Sequence, residues 1–285
     1  MRLLSAASSD EASRLKEFSS WVASIGDEVV GGPNDGEVTI DLPSDIGDPL
    51  RTSVSKIYPS YMNHEELSNC LHDRTILAPT LEVVDEVNQF MMSLDQSQGR
   101  VYWSSDSISN SDLTSNGLAE IHSAEFLNKL KCSGTPNHEL LLKVGTPVML
   151  LRNIDHSNGL CNGTRLIITR LSDYVLEGQV LGGHKVLIPR MSLIPSDPRL
   201  PFKFQRRQFP LVVSYAMTIN KSQGQSLSHV GLFLRKSVVS HGQLYAAISR
   251  VTSREGMKIL VFGDEYDNRS EATINVVYEE VFQNL

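Results

Sequence analysis

Leu211-Val212-Val213-Ser214-Tyr215-Ala216 runs without a charge into Met217-Thr218-Ile219-Asn220-Lys221-Ser222-Gln223-Gly224-Gln225-Ser226-Leu227. A second apolar run, His229 to Leu234, follows, and then Ser240-His241-Gly242-Gln243-Leu244-Tyr245-Ala246-Ala247-Ile248-Ser249-Arg250. Two strand-like segments each feed a polar segment rich in hydrogen-bond donors. Apolar runs that end in donors and a glycine suit an α/β fold that grips phosphates at the ends of its strands. Thr218, Asn220, Lys221, Ser222 and Gln223 offer side-chain donors, and Gly224 lets a ligand approach the backbone closely. On chemistry alone a polar turn explains this segment equally well.

Ser240 and Gln243 have capping-box spacing, and Leu244, Ala247, Ile248 and Val251 then recur at one helical face. Tyr245 and Arg250 fall off that stripe. Arg250 sits near the helix end, where its planar fork suits phosphate oxygens. It equally suits the partial negative charge of a helix C-terminus.

Working outward, Ser8 to Ile25 reads as a helix, with Leu15, Phe18, Val22 and Ile25 at helical spacing and Gly26 to end it. Glu37 to Leu42 reads as a short strand, Asn63 to Leu71 as a short helix, and Arg74 to Ala78 as a strand. After Pro79, Thr80 caps a helix whose stripe is Val84, Val87, Met91 and Leu94. Asp85 and Glu86 fall on its solvated face, which argues against a catalytic acidic pair. Residues 95–123 are rich in Ser and Asp and read as a long surface loop. From Leu140 short β-type runs follow: Val148 to Leu151, Arg165 to Leu171, Tyr174 to Leu181 and Lys185 to Ile188. The turn signals Asn158-Gly159, Asn162-Gly163, Ser172-Asp173 and Gly182-Gly183 separate them, as in a small antiparallel barrel.

Composition sets the outer bounds. The 285 residues suffice for one large domain or two smaller ones. No apolar run reaches the roughly 18–20 residues of a membrane span, and the N-terminus lacks the apolar core of a signal peptide. The three cysteines, Cys70, Cys132 and Cys161, form neither a disulfide framework nor a paired-cysteine metal site. With the scattered histidines this implies no structural metal. The net charge of −7 is uneven. Residues 1–142 carry 9 Lys/Arg against 22 Asp/Glu, residues 143–236 carry 13 against 4, and residues 237–285 carry 4 against 7. A basic block within an acidic chain is a footprint for a polyanion or a solvated basic face. Lys221-Ser222 mimics the end of a phosphate-binding loop, but no glycine stands in the five residues before it, so no such loop forms. Ser240-His241 has no acid partner in view, which disfavours a serine hydrolase.

These residues together resemble the C-terminal half of a superfamily-one DNA helicase of the petite-integration-frequency type, a group that includes the Helitron-transposon helicases. Ala216 to Gln225 is similar to helicase motif V and His241 to Arg250 to motif VI. Leu142 to Asn153 and Gly159 to Arg165 look like the family's SH3-like insertion, and Arg74 to Thr80 like the strand and turn opening the next unit of the second motor domain. Met1-Arg2-Leu3 is similar to a family segment whose arginine contacts the γ-phosphate, and the resemblance implies a reading frame that opens inside a motif.

The resemblance implies a second RecA-like domain, three-layered with a mainly parallel sheet, over residues 1–124 and 209–285. A small SH3-like β-barrel would be inserted at residues 125–208. It implies two such motor domains closing on ATP and Mg2+ and stepping 5′-to-3′ along single-stranded DNA. It assigns γ-phosphate sensing to Arg250 and Arg2, nucleotide contacts to Gly224, Gln225 and Tyr245, and DNA contacts to Thr218, Asn220, Lys221, Ser222, Gln223 and His241. Lys143, Arg152, Arg165 and Arg206-Arg207 are further candidates for the strand channel. The phosphate-binding loop and acidic magnesium site belong to a first motor domain, a partner this sequence does not contain. The chain alone is therefore expected not to hydrolyse ATP. The same resemblance implies a nuclear setting, with mitochondria as the family's other one, in repair, recombination or telomere maintenance. The alternatives are a non-enzymatic single-strand-binding fragment and a transposon-derived remnant. Leu81 stands where the family usually has Asn, which puts a nucleic-acid contact by that turn in doubt. Ala246 and Ile248 replace Val and Leu conservatively.

Overall fold

The computed structural model describes residues 9–27, 37–41, 54–55, 57–59, 70–71, 73–108, 123–132, 134–180, 183–195, 200, 202–234, 240–261 and 272–276. Arg2, and all of the expected 63–71 helix but Cys70 and Leu71, lie outside these residues. The chain is a mixed α/β protein that divides into two compact units, Met1–Met91 with Tyr215–Leu285, and Met92–Ser214. The second unit is wider than the 125–208 insertion expected from sequence.

The first unit holds a parallel sheet in the order β13-β2-β14-β15. Its strands are β2 (Arg74–Ala78), β13 (Ala216–Thr218), β14 (His229–Leu234) and β15 (Met257–Val261). β2 and β14 pair with His229 opposite Arg74, and β13 and β2 with Thr218 opposite Ala78. Near-continuous burial along β2 and β14 is what a parallel sheet covered on both faces demands. Helix α1 (Ser9–Gly26) buries Phe18, Val22 and Ile25, three of its four expected stripe residues. Helix α2 (Leu81–Leu94) starts after Thr80, whose Oγ1 accepts from Val83 N at 3.5 Å, and buries Val83, Val84, Val87 and Met91. Leu94, expected on the stripe, is only half-buried, and Glu86 faces solvent. A further pair, β1 (Glu37–Asp41) with β16 (Ala272–Val276), is antiparallel.

The second unit is built on a five-stranded antiparallel sheet in the order β12-β6-β7-β8-β9. It comprises β6 (Pro147–Leu150), β7 (Arg165–Arg170), β8 (Val175–Val180), β9 (Lys185–Pro189) and β12 (Leu211–Val213). Leu142, Val148, Leu150, Leu166, Ile168, Leu176, Ile188, Phe209 and Leu211 form its core. In β9 Val186 and Ile188 point in while Lys185 and Leu187 point out, the alternation of a half-solvated sheet.

Two expectations change. Residues 95–123 are not one loop: β3 (Arg100–Trp103) pairs with β5 (Glu139–Leu142), and β4 (Ser105–Ile108) with β11 (Phe204–Gln208). Polar composition hid β4, whose Asp106 is satisfied internally, and β3 buries only Tyr102 and so shows no apolar period. Asp106 is directly opposite Arg206 across β4 and β11. Both side chains are wholly excluded from solvent. The apolar run Leu211–Ala216 is likewise not one strand. Leu211–Val213 joins the antiparallel sheet and Ala216–Thr218 the parallel one. The run breaks at Ser214-Tyr215, where the chain leaves one unit for the other.

The basic block also resolves differently. Arg206 donates all five of its N–H groups to Asp106 and to the carbonyls of Leu127, Leu130 and Pro136. Leu127 lies in the short helix α3 (Ala124–Lys129) and Leu130 just beyond it. Buried Lys143 donates to the carbonyls of Met92 and Asp95, and buried Arg165 to Ser214 O at 3.0 Å. These three cations tie the fold together and are not presented to a polyanion. Arg207 is exposed, and Arg152 is half-buried with a bond to Ile194 O at 3.3 Å.

Candidate functional site

The carboxyl ends of β2 and β13 lie side by side, because Thr218 pairs with Ala78. Ligands of open parallel sheets bind at this edge. From β13 the chain enters a single 3-10 turn, Ile219–Ser222. Ile219 is buried, and Ser222 buries its hydroxyl by donating to Ile219 O at 2.7 Å. The turn closes with Gln223 N donating to Asn220 O and Gln225 N to Ser222 O, at 3.4 and 3.0 Å.

This places the sequence-derived residues unequally. Asn220, Gln223 and Gly224 are exposed, whereas Thr218, Lys221 and Gln225 are half-buried. Ser222 points inward, its proton spent, and presents no donor in this conformation. Gly224 takes φ +85°, and nothing lies within 4 Å of where a Cβ would stand. Its backbone is therefore open to a ligand, and the left-handed φ favours glycine. Burial pulls the Lys221 ammonium below its ordinary pKa. A half-desolvated cation has lost water that an incoming phosphate would otherwise displace.

Helix α4 (Gln243–Ile248) forms the second wall. The expected stripe is buried: Leu244, Ala247, Ile248 and Val251. The expected capping box is absent. Gly242 is the N-cap at φ 65° with no side-chain bond, and Gln243 N donates to Ser240 O at 3.1 Å. Gln243 instead sends its amide to Pro79 O at 3.4 Å, tying the start of α4 to the turn after β2. The far end of α4 meets the opposite edge of the sheet. Leu227 N donates to Arg250 O at 2.9 Å, and Leu227 bridges Val251 just before β14 begins. The helix thus crosses from the carboxyl to the amino edge.

Arg250 is half-buried at that amino-edge end. Its Nε donates to Ala246 O at 2.9 Å and its Nη2 to Ser249 Oγ at 2.8 Å. These bonds satisfy a helix-terminal carbonyl, the bland alternative read from sequence. Tyr245 is 41% exposed, and its ring lies against Gly26 so tightly that a Cβ there would stand 2.9 Å from Cδ2. His241 is half-buried beside Gly242, whose N–H donates to Val276 O at 2.9 Å. The site therefore gathers the 3-10 turn, Gly224, Gln243 and the Pro79-Thr80 turn. It sets Arg250 apart from them and turns Tyr245 toward α1.

Asn88 was not singled out from sequence. Its amide donates to Ala216 O at 3.2 Å and accepts from Ala216 N at 2.8 Å, both buried. It completes the outer side of edge strand β13 where that strand begins. One residue earlier, Tyr215 O accepts both from Ile76 N in β2 at 3.3 Å and from Tyr58 Oη at 2.6 Å. A signal existed: position 88 lies one turn after Val84, so a polar residue stands inside the apolar stripe.

Residues 125–171 match the family model described as the 2B domain of the DNA helicase Pif1. The ATP-dependent DNA helicase PIF6 of Trypanosoma brucei brucei is 33% identical over 131 residues, 43% of this chain and 16% of that protein. The ATP-dependent DNA helicase PIF1 of Xenopus laevis is 35% identical over 132 residues, 44% and 20%. Its human counterpart is 36% identical over 129 residues, 43% and 19%. The matched stretch thus spans a fifth or less of these relatives' length. Among solved structures, Pif1 from Candida albicans superposes with a TM-score of 0.57 at 23% identity, covering 94% of this chain and 57% of the other. Bacteroides Pif1 in complex with ADP-AlF3 and single-stranded DNA gives 0.52 at 17% identity, covering 98% and 63%. At these identities the likeness is one of fold.

Proposed function

Starting from a chain that is related over part of its length to the Pif1 family of DNA helicases, we propose that it supplies the second RecA-like motor domain, with its SH3-like insertion, of an ATP-dependent 5′-to-3′ DNA helicase. The observation that carries this reading is the 3-10 turn at the carboxyl edge of the parallel sheet. There Asn220, Gln223 and the open backbone at Gly224 flank a half-desolvated Lys221. These donors carry no base specificity and suit a sugar–phosphate backbone. Thr218 and His241 border the same contact. Arg250, at the far end of α4, acts on a nucleotide held by a separate first motor domain, with Arg2 as a second sensor. For that it must exchange its bonds to Ala246 O and Ser249 Oγ for phosphate oxygens. ATP and Mg2+ bind mainly to residues of that other domain, since this sequence holds no phosphate-binding loop. Gly224 and Gln225 adjoin the nucleotide when the domains close. A nuclear or mitochondrial role in DNA maintenance fits this reading.

The test is a fluorescence-anisotropy titration of the purified chain with labelled oligo-dT at several salt concentrations. Binding should weaken with salt, with a log–log slope near −0.7 per phosphate contacted. Lys221→Ala should lower that slope by about one contact. Salt-independent binding, or a Lys221→Ala variant indistinguishable from the parent, would refute the contact. Hydrolysis of ATP by the chain alone would refute the assignment of the nucleotide cradle to another domain.

A further inference from the structure

We propose that Cys161 is a nucleophilic thiol, paired with His156 as its proton acceptor, and that it undergoes thiol–disulfide exchange with small aliphatic disulfides. Cys161 Sγ and His156 Nδ1 stand 3.3 Å apart at the surface of the second unit. This is within the range of a sulfur hydrogen bond, and a thiol beside an imidazole is the arrangement that delivers a thiolate.

The loop holds the two groups in place. Asp155 and Leu160 form a tight antiparallel bridge, with Leu160 N donating to Asp155 O at 2.8 Å and Ile154 N to Leu160 O at 2.8 Å. Cys161 N donates to Thr164 Oγ1 at 3.1 Å, and Asn162 N to Asn153 Oδ1 at 2.7 Å. The backbone on both sides of the sulfur is therefore fixed, and His156 projects from the same bend. Asp155, the charged neighbour of His156 in the chain, is turned away. Its carboxylate accepts from Ser157 Oγ, Ser157 N and Asn158 Nδ2 at 2.5, 3.0 and 2.7 Å. It leaves the imidazole to the thiol. Cys161 is half-exposed and His156 exposed, so a small disulfide reaches the pair from solvent. Cys132, by contrast, is buried among Leu127, Phe202 and Phe204.

The exchange balances without an outside oxidant other than the disulfide. His156 Nδ1, with its proton on Nε2, accepts the Cys161 thiol proton. The thiolate attacks one sulfur of the disulfide, a new S–S bond forms to Cys161, and the old S–S bond breaks. The leaving thiolate takes up the proton from the imidazolium and departs as a thiol. Cys161 is oxidised and one half of the co-reactant is reduced.

The full-length chain is treated with oxidised glutathione at pH 7, and the adduct is located by peptide mass mapping over time. Cys161 should be modified ahead of Cys70 and Cys132. His156→Gln should slow modification of Cys161 about tenfold at pH 7, because the group 3.3 Å from the sulfur that takes up its proton is then lost. In His156→Ala, added imidazole should restore the rate, which a merely structural histidine would not allow. A matching circular-dichroism melt shows that each variant keeps the fold. Modification of Cys70 ahead of Cys161, equal rates for parent and His156→Gln at pH 7, or no rescue by imidazole would overturn the proposal.

Discussion

Replacing Arg206 by Met, and separately Asp106 by Asn, tests whether the basic block of this chain is a scaffold or a polyanion surface. The two side chains meet through three contacts of 2.6 to 3.0 Å, at 0% exposure on both sides. Arg206→Met leaves a buried carboxylate without its cation, at a cost of about 3–5 kcal/mol. It also strips the guanidinium from the carbonyls of Leu127, Leu130 and Pro136, adding about 1 kcal/mol for each that water does not reach. Asp106→Asn keeps those carbonyl bonds and strands only the cation, so its loss should stay within about 3–5 kcal/mol. Against a typical domain stability of about 5–15 kcal/mol, either variant should populate unfolded second unit in dilute denaturant. The chain has two tryptophans, Trp21 in the first unit and Trp103 in the second. A Trp21→Phe background therefore lets Trp103 fluorescence report urea unfolding of the second unit alone. Because the pair is buried, the loss should persist from 50 to 500 mM NaCl. A loss under about 1 kcal/mol for both variants would refute the reasoning. So would unchanged unfolding together with weakened DNA binding, because Arg206 would then be a surface cation.

Asn88→Ala should cost about 2–4 kcal/mol in the urea midpoint of the first unit, since it orphans both backbone groups of Ala216; a loss under 0.5 kcal/mol would show that water or another donor replaces it. At Gly256 a Cβ would stand 1.9 Å from Ser228 O, a backbone atom, so Gly256→Ala should lower the melting temperature by several degrees or abolish folding. Burial first, and then the nearby Arg74, pull the His229 imidazole below its ordinary pKa. The unfolded chain then binds the proton first, so stability is full above about pH 6.5 and declines as pH falls through the folded value. His229→Gln should flatten that slope in melts between pH 7 and 5. Hydrogen bonds from Ser157 and Asn158 lower Asp155 to about 2, so its contribution is present above about pH 4 and lost as pH falls toward 2. Asp155→Ala should remove that part of the acid transition.

Periodicity was readable in the stripes of α1 and α4, where one face alone is buried. The strands Arg74–Ala78 and His229–Leu234, covered on both faces, were readable as short continuous apolar runs, and the hairpins from the turn signals Asn158-Gly159 and Asn162-Gly163. The strand at Arg100–Trp103 was illegible because it buries only Tyr102, and the strand at Ser105–Ile108 because it buries a carboxylate rather than an apolar side chain. Its partner lies 100 residues away. The chain also gave no sign of where Leu211–Ala216 breaks. Continuous apolar character fits a strand of either sheet, and only the available partners, Met149 for Val212 and Ile76 for Ala216, decide.

For the site the division is similar. The sequence by itself determined the residue types: a donor-rich turn after a buried strand, a glycine within it, and a helix ending in arginine. Local covalent order and side-chain chemistry are enough for that. Only the tertiary structure decided which of those groups face outward. Ser222 turns in because its hydroxyl finds Ile219 O, Tyr245 rests on Gly26, and Arg250 folds back on its own helix at the amino edge of the sheet. Those outcomes depend on partners one turn back or more than two hundred residues away, and a hydrogen bond or a close ring contact exists only once the fold has brought both sides together.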